Sequence, residues 1–499
     1  MADKIDPSVP SSDYAANAAS WKVIRTVMAG TEAMRAAGTT YLPQHPSEES
    51  ADYQARLAET VLTNRLEDAV RAVVGKPLGD PLKLSGSYNA KWDEWADDID
   101  LLGNSIDVFA RGLFEDSVAA GLAYIVVDMP KAEPGMSLAD ELKANIRPYF
   151  VHYTAENVLA IYITVEDGKP KVTEARTRED TIKVVNFKEV IVRRIRVRRA
   201  LEWELWEQET SDNGEGDWKI VEKGPNELGE VAIVPLFTGR RASKTGFRVK
   251  PVFLDLAWKN VEHWQSSSDQ RHILKYARFP ILAGSGVKLP KPRTRNDGSE
   301  MPPQKIGPHS LLITEDPQGK WYYVEPEGHA IEAGANDLRR LEEEMAALAL
   351  KPHTKRSGDM TATGEAIGEA RENSAVKNMA LNLKDALEQA FAFAARLIGE
   401  EPDTSAPEVE VSTDYTDEYA DTADLDGLLK VRVAREISRK TFWSELQRRG
   451  KLSANFDPDV EAIELQDEGG DDAGLNGIGG GSGNRTDNIP PPDDEDVTA

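Results

Sequence analysis

Apolar side chains recur at helical spacing through much of the first 120 residues. Leu57, Val61, Leu62, Leu66, Val70 and Val73 share one stripe and Gly75 follows as a stop, which predicts a helix over 47–74. A helix over 21–37 precedes it, and Trp92, Trp95, Ile99 and Phe109 mark a third helical region over 90–120. LAYIVVDMP (122–130) reads as a strand closed by proline. The period then changes. In EVIVRRIRVRRALEWELWEQE, Ile195 and Val197 stand between Arg194, Arg196 and Arg198, the alternation of a half-buried sheet. With an Asp-Gly turn at 167–168 and the hairpin connection DNGEGD at 212–217, residues 148–238 are predicted to be β-rich.

Helical spacing returns at about 250–279, where Leu254, Ala257, Val261, Trp264 and Ser268 share a face and Pro280 ends the run. Short strands follow (PILAG, SLLIT, WYYVEP) around the loop KLPKPRTRNDGSEMPPQKIGP. The next helix, ANDLRRLEEEMAALAL, carries Leu338, Leu341, Met345 and Leu348 on one stripe, with Asn336 as its expected N-cap. Pro352 in KPHTKRSGDM breaks it. A long helix over 362–398 keeps Leu383, Leu387, Ala390, Ala394 and Leu397 in step. The strand EVEVST and a helical pair over 421–449 close the ordered part. From about 467 the chain is Gly-rich and acidic and is expected to be disordered. The predicted class is α+β. Its second half has the order helix, β-containing insertion of about fifty residues, helix, basic break, long helix.

Composition narrows the chemistry. The 499 residues suffice for one large core or several smaller ones. No apolar run approaches the length of a membrane span. The first twenty residues lack the apolar segment of a signal peptide and read as a disordered arm. Without cysteine there are no disulfides, thiolate zinc sites or thiol nucleophiles. The seven scattered histidines form no His-x-x-x-His pair, so neither a metal nor a cofactor is expected. The net charge is −26, of which −12 falls between Phe456 and Ala499. An acidic body repels phosphate and disfavours tight, sequence-independent DNA binding. It is compatible with DNA sliding past.

Catalytic signatures are weak. Ser266-Ser267-Ser268 lies mid-helix, without the sharp turn that exposes a nucleophilic serine; small residues admitting a neighbouring helix is the expected reading. Ser374-x-x-Lys377, Ser211-Asp-Asn213 and Lys244-Thr-Gly246 match the three motifs of penicillin-binding enzymes, but here Ser-x-x-Lys comes last in the chain instead of first. No P-loop occurs. The chain is expected not to be an enzyme.

Four stretches carry a resemblance: YLPQHPSEESADYQARLAETVLTNRLEDAVRAVVGKPL, PVFLDLAWKNVEHWQSSSDQRHILKYARFPILAGSG, the long helix after TATGEA, and EISRKTFWSELQRRG at 436–450. Together they span most of residues 20–460, and the chain resembles the portal proteins, or head-to-tail connectors, of tailed bacteriophages. The resemblance implies the portal fold. Residues 1–20 would be an arm, 21–249 the wing, 250–279 the first stem helix and 280–332 the clip. Residues 333–351 would be the second stem helix, 352–361 the tunnel loop, 362–415 the long wing helix and its strand, 416–466 the crown and 467–499 an acidic tail.

It also implies a ring, of twelve copies, at one capsid vertex of the virion, made in the bacterial host cytoplasm. Double-stranded DNA would be packaged and ejected through it. The implied partners are further copies of the chain, the terminase large subunit, major capsid or scaffold proteins and a head-tail adaptor, with no membrane. ATP chemistry would sit on the terminase. Within that frame Lys351, His353, Lys355 and Arg356 are the candidates to meet DNA phosphates in the channel; the plainer reading is a solvated basic turn at a helix C-terminus. Lys288, Lys291, Arg293 and Arg295 would face DNA, terminase or adaptor, or simply decorate an exposed loop. The competing classes are a soluble serine acyl enzyme with permuted motifs and a monomeric virion adaptor.

Overall fold

A computed structural model describes residues 5–130, 136, 140, 144–278 (without 167, 212, 213 and 227), 281–285, 318–324, 328–349, 362–413, 415, 422–448, 451, 452, 456–458 and 460–462. The chain divides into two units, Met1–Thr413 and Asp414–Ala499. The architecture is α+β, and every strand pair among the described residues is antiparallel.

Helix starts earlier than the pattern suggested. α1 (Ser12–Met28) begins inside the stretch expected to be a disordered arm, with Ser11 as its N-cap. Tertiary hydrogen bonds override the polar composition there. Buried Asn17 donates to Phe247 O at 2.9 Å and accepts from Val249 N at 3.1 Å, while Trp21 Nε1 donates to Ala120 O at 3.0 Å. Arg25 reaches Glu156 (2.6 Å) and Asp116; burial alone would lower its pKa, and the two carboxylates more than reverse that.

α2 (Gly30–Ala37) follows. The single helix expected over 47–74 is two, α3 (Ser50–Glu59) and α4 (Arg65–Gly75). Thr60 is extended at the break, and Asn64 caps α4 through its side chain. Val61, assigned to the apolar stripe, is 46% exposed as a result. The third helical region is likewise split into α5 (Lys91–Ala96) and α6 (Ile106–Ala120), since Asp98, Asp100 and Asn104 bond the loop between them.

The β region is two sheets and two separate hairpins. β2 (Leu122–Asp128) lies between β3 (Tyr149–Thr154) and β11 (Ile233–Phe237). It is buried on both faces, as its unbroken apolar run requires. Leu122, Tyr124 and Val126 join Trp21, Val158, Ile161, Ala175, Phe247 and Val249 in one core. Phe150, opposite Val127, meets Phe109 of α6 and Phe391 of the later long helix.

The second sheet has the order β10-β9-β8-β5-β4, built from β4 (Val158–Glu166), β5 (Lys169–Arg178), β8 (Arg194–Arg199), β9 (Glu202–Ser211) and β10 (Gly214–Pro225). Ile195 and Val197 are buried in it as their alternation predicts. β6 (Thr181–Val185) and β7 (Lys188–Val192) form one hairpin, turned by Asn186 and Phe187 at positive φ. β12 (Arg240–Arg241) and β13 (Val249–Lys250) form the other. β1 (Lys83–Ser85) pairs across the chain with β16 (Glu408–Glu410).

α7 (Leu254–Arg278) buries Ala257, Val261, Trp264 and Ser268, the face read from the sequence. β14 (Ile281–Ser285) and β15 (Lys320–Val324) follow, then α8 (Gly328–Leu348). α8 begins before residue 333, inside the segment assigned to the clip. Asn336 is therefore in its interior and accepts from Arg339 instead of capping. α9 (Ala362–Leu397) buries Leu383, Leu387, Ala390 and Ala394, and packs on β11 and β2. A short turn of helix, α10 (Pro402–Ser405), leads to β16.

The second unit holds α11 (Thr422–Val433) and α12 (Arg439–Arg448), the pair expected at 421–449. Trp443 packs edge-on against Phe456 with centroids 5.8 Å apart. The acidic stretch 467–499 lies outside the described residues.

Candidate functional site

α7 and α8 are antiparallel. The cross-links pair Lys259 with Glu344 (2.7 Å), Ser266 Oγ with Asp337 Oδ2 (3.0 Å) and Gln270 Nε2 with the carbonyl of Ile331 (2.9 Å). Each step along α7 is matched by a step backward along α8. Their contact is close at Gly334, where any Cβ would collide with the Gln270 amide. Leu341 and Met345 of α8 are buried. Beyond this pair the chain is closed by a ladder that matches Ile281 with Val324 and Ser285 with Lys320. The segment between residues 285 and 320 thus leaves and rejoins the helical hairpin at one point. The serine run has a structural use: Ser266 bonds α8, and buried Ser268 faces Thr60 Oγ1 at 3.0 Å and Arg56 at 3.4 Å.

The C-terminal half of α7 rests on α3 through Ser268, Asp269 and Lys275. Arg56 and Glu48 form a buried pair, with Arg56 Nε 2.7 Å from Glu48 Oε1, and Arg56 also donates to Pro43 O at 2.9 Å. The Arg56 hydrogen bonds hold the Glu48 carboxyl down at about 2. An open cleft of about 330 Å³ lies above them between α3 and α7, lined by Asp52, Glu59, Arg271, His272 and Lys275 among others. Lys275 is tied to Glu59 at 2.8 Å.

The sequence-chosen residues Lys288, Lys291, Arg293, Arg295, Lys351, His353, Lys355 and Arg356 all lie outside the described residues. Their flanks are described. The first four fall between β14 and β15, and the second four between the end of α8 and the start of α9. Ser374 and Lys377 are exposed on α9, Lys244 is on the β12–β13 hairpin and Ser211 ends β9, so the penicillin-binding matches belong to three different elements. Among the described residues no group of three or more His, Asp or Glu is placed to hold a metal, and no helix is long and apolar enough to cross a membrane.

Sequence reasoning passed over Arg56, Glu48 and Asn260, whose partners are distant in the chain. It also passed over RRASKTGFRVK (240–250), with five cations and no carboxylate, which was readable as a charge island in an acidic chain.

Residues 252–398, from the start of α7 to the end of α9, match a family model described as a domain of unknown function (DUF4055). No curated protein matches the sequence. Several solved structures are similar. A chain from the neck of an empty gene transfer agent (GTA) particle, computed with C6 symmetry, has 13% identity and a TM-score of 0.40, covering 77% of this chain and 89% of that one. A chain from the virion of the native GTA particle has 14% identity and a TM-score of 0.36, covering 78% and 87%. A chain from the native GTA neck, computed with C12 symmetry, has 12% identity and a TM-score of 0.39, covering 83% and 98%.

Proposed function

We propose that the chain is a phage portal protein. It forms a closed head-to-tail ring at one capsid vertex and serves as the conduit for double-stranded DNA and the dock for terminase and head-tail adaptor. The observation that carries this reading is the antiparallel α7–α8 pair, interrupted at one end by an inserted segment on a two-stranded base and followed by the 36-residue α9. That is the order of stem, clip, stem and long wing helix implied by the resemblance. α9 alone is about 54 Å long, enough to run through most of a subunit.

In this role the chain catalyses nothing. Lys351, His353, Lys355 and Arg356 would brush passing phosphates, and Lys288, Lys291, Arg293 and Arg295 would face DNA or the docking proteins. The testing experiment is light scattering after size exclusion, with negative-stain images of the same peak. Twelve copies of the 55.0 kDa chain give a particle of about 660 kDa with a central hole. A small particle at all concentrations, alone and with capsid proteins, would sink the proposal. Packaging unchanged on replacing Lys351, Lys355 and Arg356 by alanine would remove the DNA role from that loop.

A further inference from the structure

α6 separates two surfaces of opposite charge. Its fifteen residues span about 22 Å. At its C-terminal end, Gly121 accepts backbone hydrogen bonds from Thr238 (3.2 Å) and Gly239 (2.8 Å), which seats the β12–β13 hairpin there. Phe247 and Val249 are buried, so Arg248 and Lys250 alternate outward. Arg241 lies over the Phe237 ring at 4.1 Å and Lys250 pairs with Asp255 at 2.8 Å. Arg240, Lys244 and Arg248 are exposed and have no acidic partner among the described residues.

At the N-terminal end of α6 stands α5 and its loop, fixed by hydrogen bonds from Ile99 N to Asn104 O (2.9 Å) and from Phe150 N to Ile99 O (3.0 Å). Five carboxylates fall within residues 93–100. Asp98 pairs with Arg147, and Asp100 accepts from the loop's own amides. Glu94 and Asp97 are exposed, with no hydrogen bond or ion pair among the described residues. Leu102, 82% exposed, stands beside them. The dipole of α6 favours these signs at its two ends, but it amounts to about half a charge at each, far less than the charge gathered there.

We infer that these two surfaces are the halves of one contact between copies: the basic hairpin of one subunit docks on the acidic α5–α6 loop of the next. The inference rests on the ring proposed above. A head-to-tail ring needs two different, mutually complementary faces on each subunit, and opposite ends of one helix supply them. The occupant favoured by charge is a second copy of this acidic chain, because a net charge of −26 repels a phosphate backbone.

The experiment is a charge-reversal cycle. One variant carries Arg240→Glu, Lys244→Glu and Arg248→Glu; a second carries Glu94→Lys and Asp97→Lys. All five side chains are exposed, and circular dichroism melting checks that each variant folds. In about 0.1 M salt each variant alone is expected to lose the assembled peak that the wild type forms. Both sets combined in one chain, and an equimolar mixture of the two variants, are expected to regain it. Variants that assemble like wild type would overturn the contact and leave the ring reading standing. If the basic variant assembles normally but loses binding to a duplex DNA, the hairpin belongs to nucleic acid and the contact falls. If the wild type forms no ring, the ring reading fails by itself. Carbodiimide coupling of Lys244 to Glu94 or Asp97 between isotopically distinct copies then decides the contact, and no such product overturns it.

Discussion

Asn260, in the first half of α7, donates to the carbonyl of Thr63 at 2.8 Å across nearly two hundred residues of sequence. Its Oδ1 accepts from Arg65 N (3.0 Å) and Leu66 N (3.1 Å), while Asn64 accepts from Glu67 N (3.1 Å). The first three amides of α4 are thus satisfied by side chains, two of them from another helix. Asn260→Ala leaves the buried Leu66 amide without a partner, while Arg65 N and the Thr63 carbonyl keep each other at 3.0 Å, and should lower stability by about 2 kcal/mol. Asn260→Asp keeps the acceptor but sets a carboxylate against the Thr63 carbonyl, and should fall between the two. Thermal unfolding midpoints of the three proteins check the order.

The Glu48–Arg56 pair gives the fold an acid-sensitive anchor. Glu48 is held at about 2 when folded and returns to the usual carboxylate range when unfolded. Its contribution is therefore complete above the unfolded value, near pH 4.5, and is lost as pH falls toward 2. Glu48→Gln should flatten the pH dependence of stability in that window while lowering stability at neutral pH. Denaturant midpoints between pH 2 and 7 measure both effects.

Glu179 binds Tyr153 Oη at 2.7 Å, Arg196 at 2.8 Å and Arg198 at 3.2 Å. Burial pushes its carboxyl upward, but Arg198 and Arg196 outweigh that and hold it below the usual range. Glu179→Ala leaves the buried Arg198 cation with only the Asp128 carboxylate, at 3.7 Å, and should cost about 3 kcal/mol. Restoring neutrality with Arg198→Leu in the same chain should recover part of the loss. A double-mutant cycle on unfolding midpoints reads the coupling.

Gly121 ends α6 at φ +81°, and a Cβ there would stand 3.0 Å from Pro251 Cα and 3.3 Å from Gly239 Cα. The obstacles are backbone, so nothing can swing aside. Gly121→Ala should cost about 2 kcal/mol or more from the left-handed backbone and the clash together. Gly112, on the same helix with no neighbour near its missing Cβ, is the control: Gly112→Ala should stabilise by somewhat under 1 kcal/mol.

Much of the second half of the chain was legible because its signals are local. The α7 face of Ala257, Val261, Trp264 and Ser268 and the α9 series from Leu383 to Ala394 follow from spacing alone. Misreadings arose where a distant group decides. Asn17 needs Phe247 and Val249 to hold α1 in place, and Asn260 lets α4 start where periodicity alone would continue from α3. The start of α8 at Gly328 lies eight residues before Asn336, which looks like a cap, while GHAIEAGA, with Gly334 against Gln270, reads as loop without its neighbour. The loop cations Lys351, Lys355 and Arg356 were chosen from the resemblance and their charge, which do not give the surface they face.

The pairing of Lys83–Ser85 with Glu408–Glu410 bears on how the chain is made. Val409 is fully buried and is bonded through its amide to Glu388 at 3.0 Å. During synthesis β1 emerges more than three hundred residues before its partner. At about 5–20 residues per second it waits at least tens of seconds with an open edge. The strand is three residues long and begins with Lys83, features that blunt such an edge against foreign pairing. Closure of the first unit is therefore a late event in translation, and chains cut short before Glu408 would keep that edge uncovered.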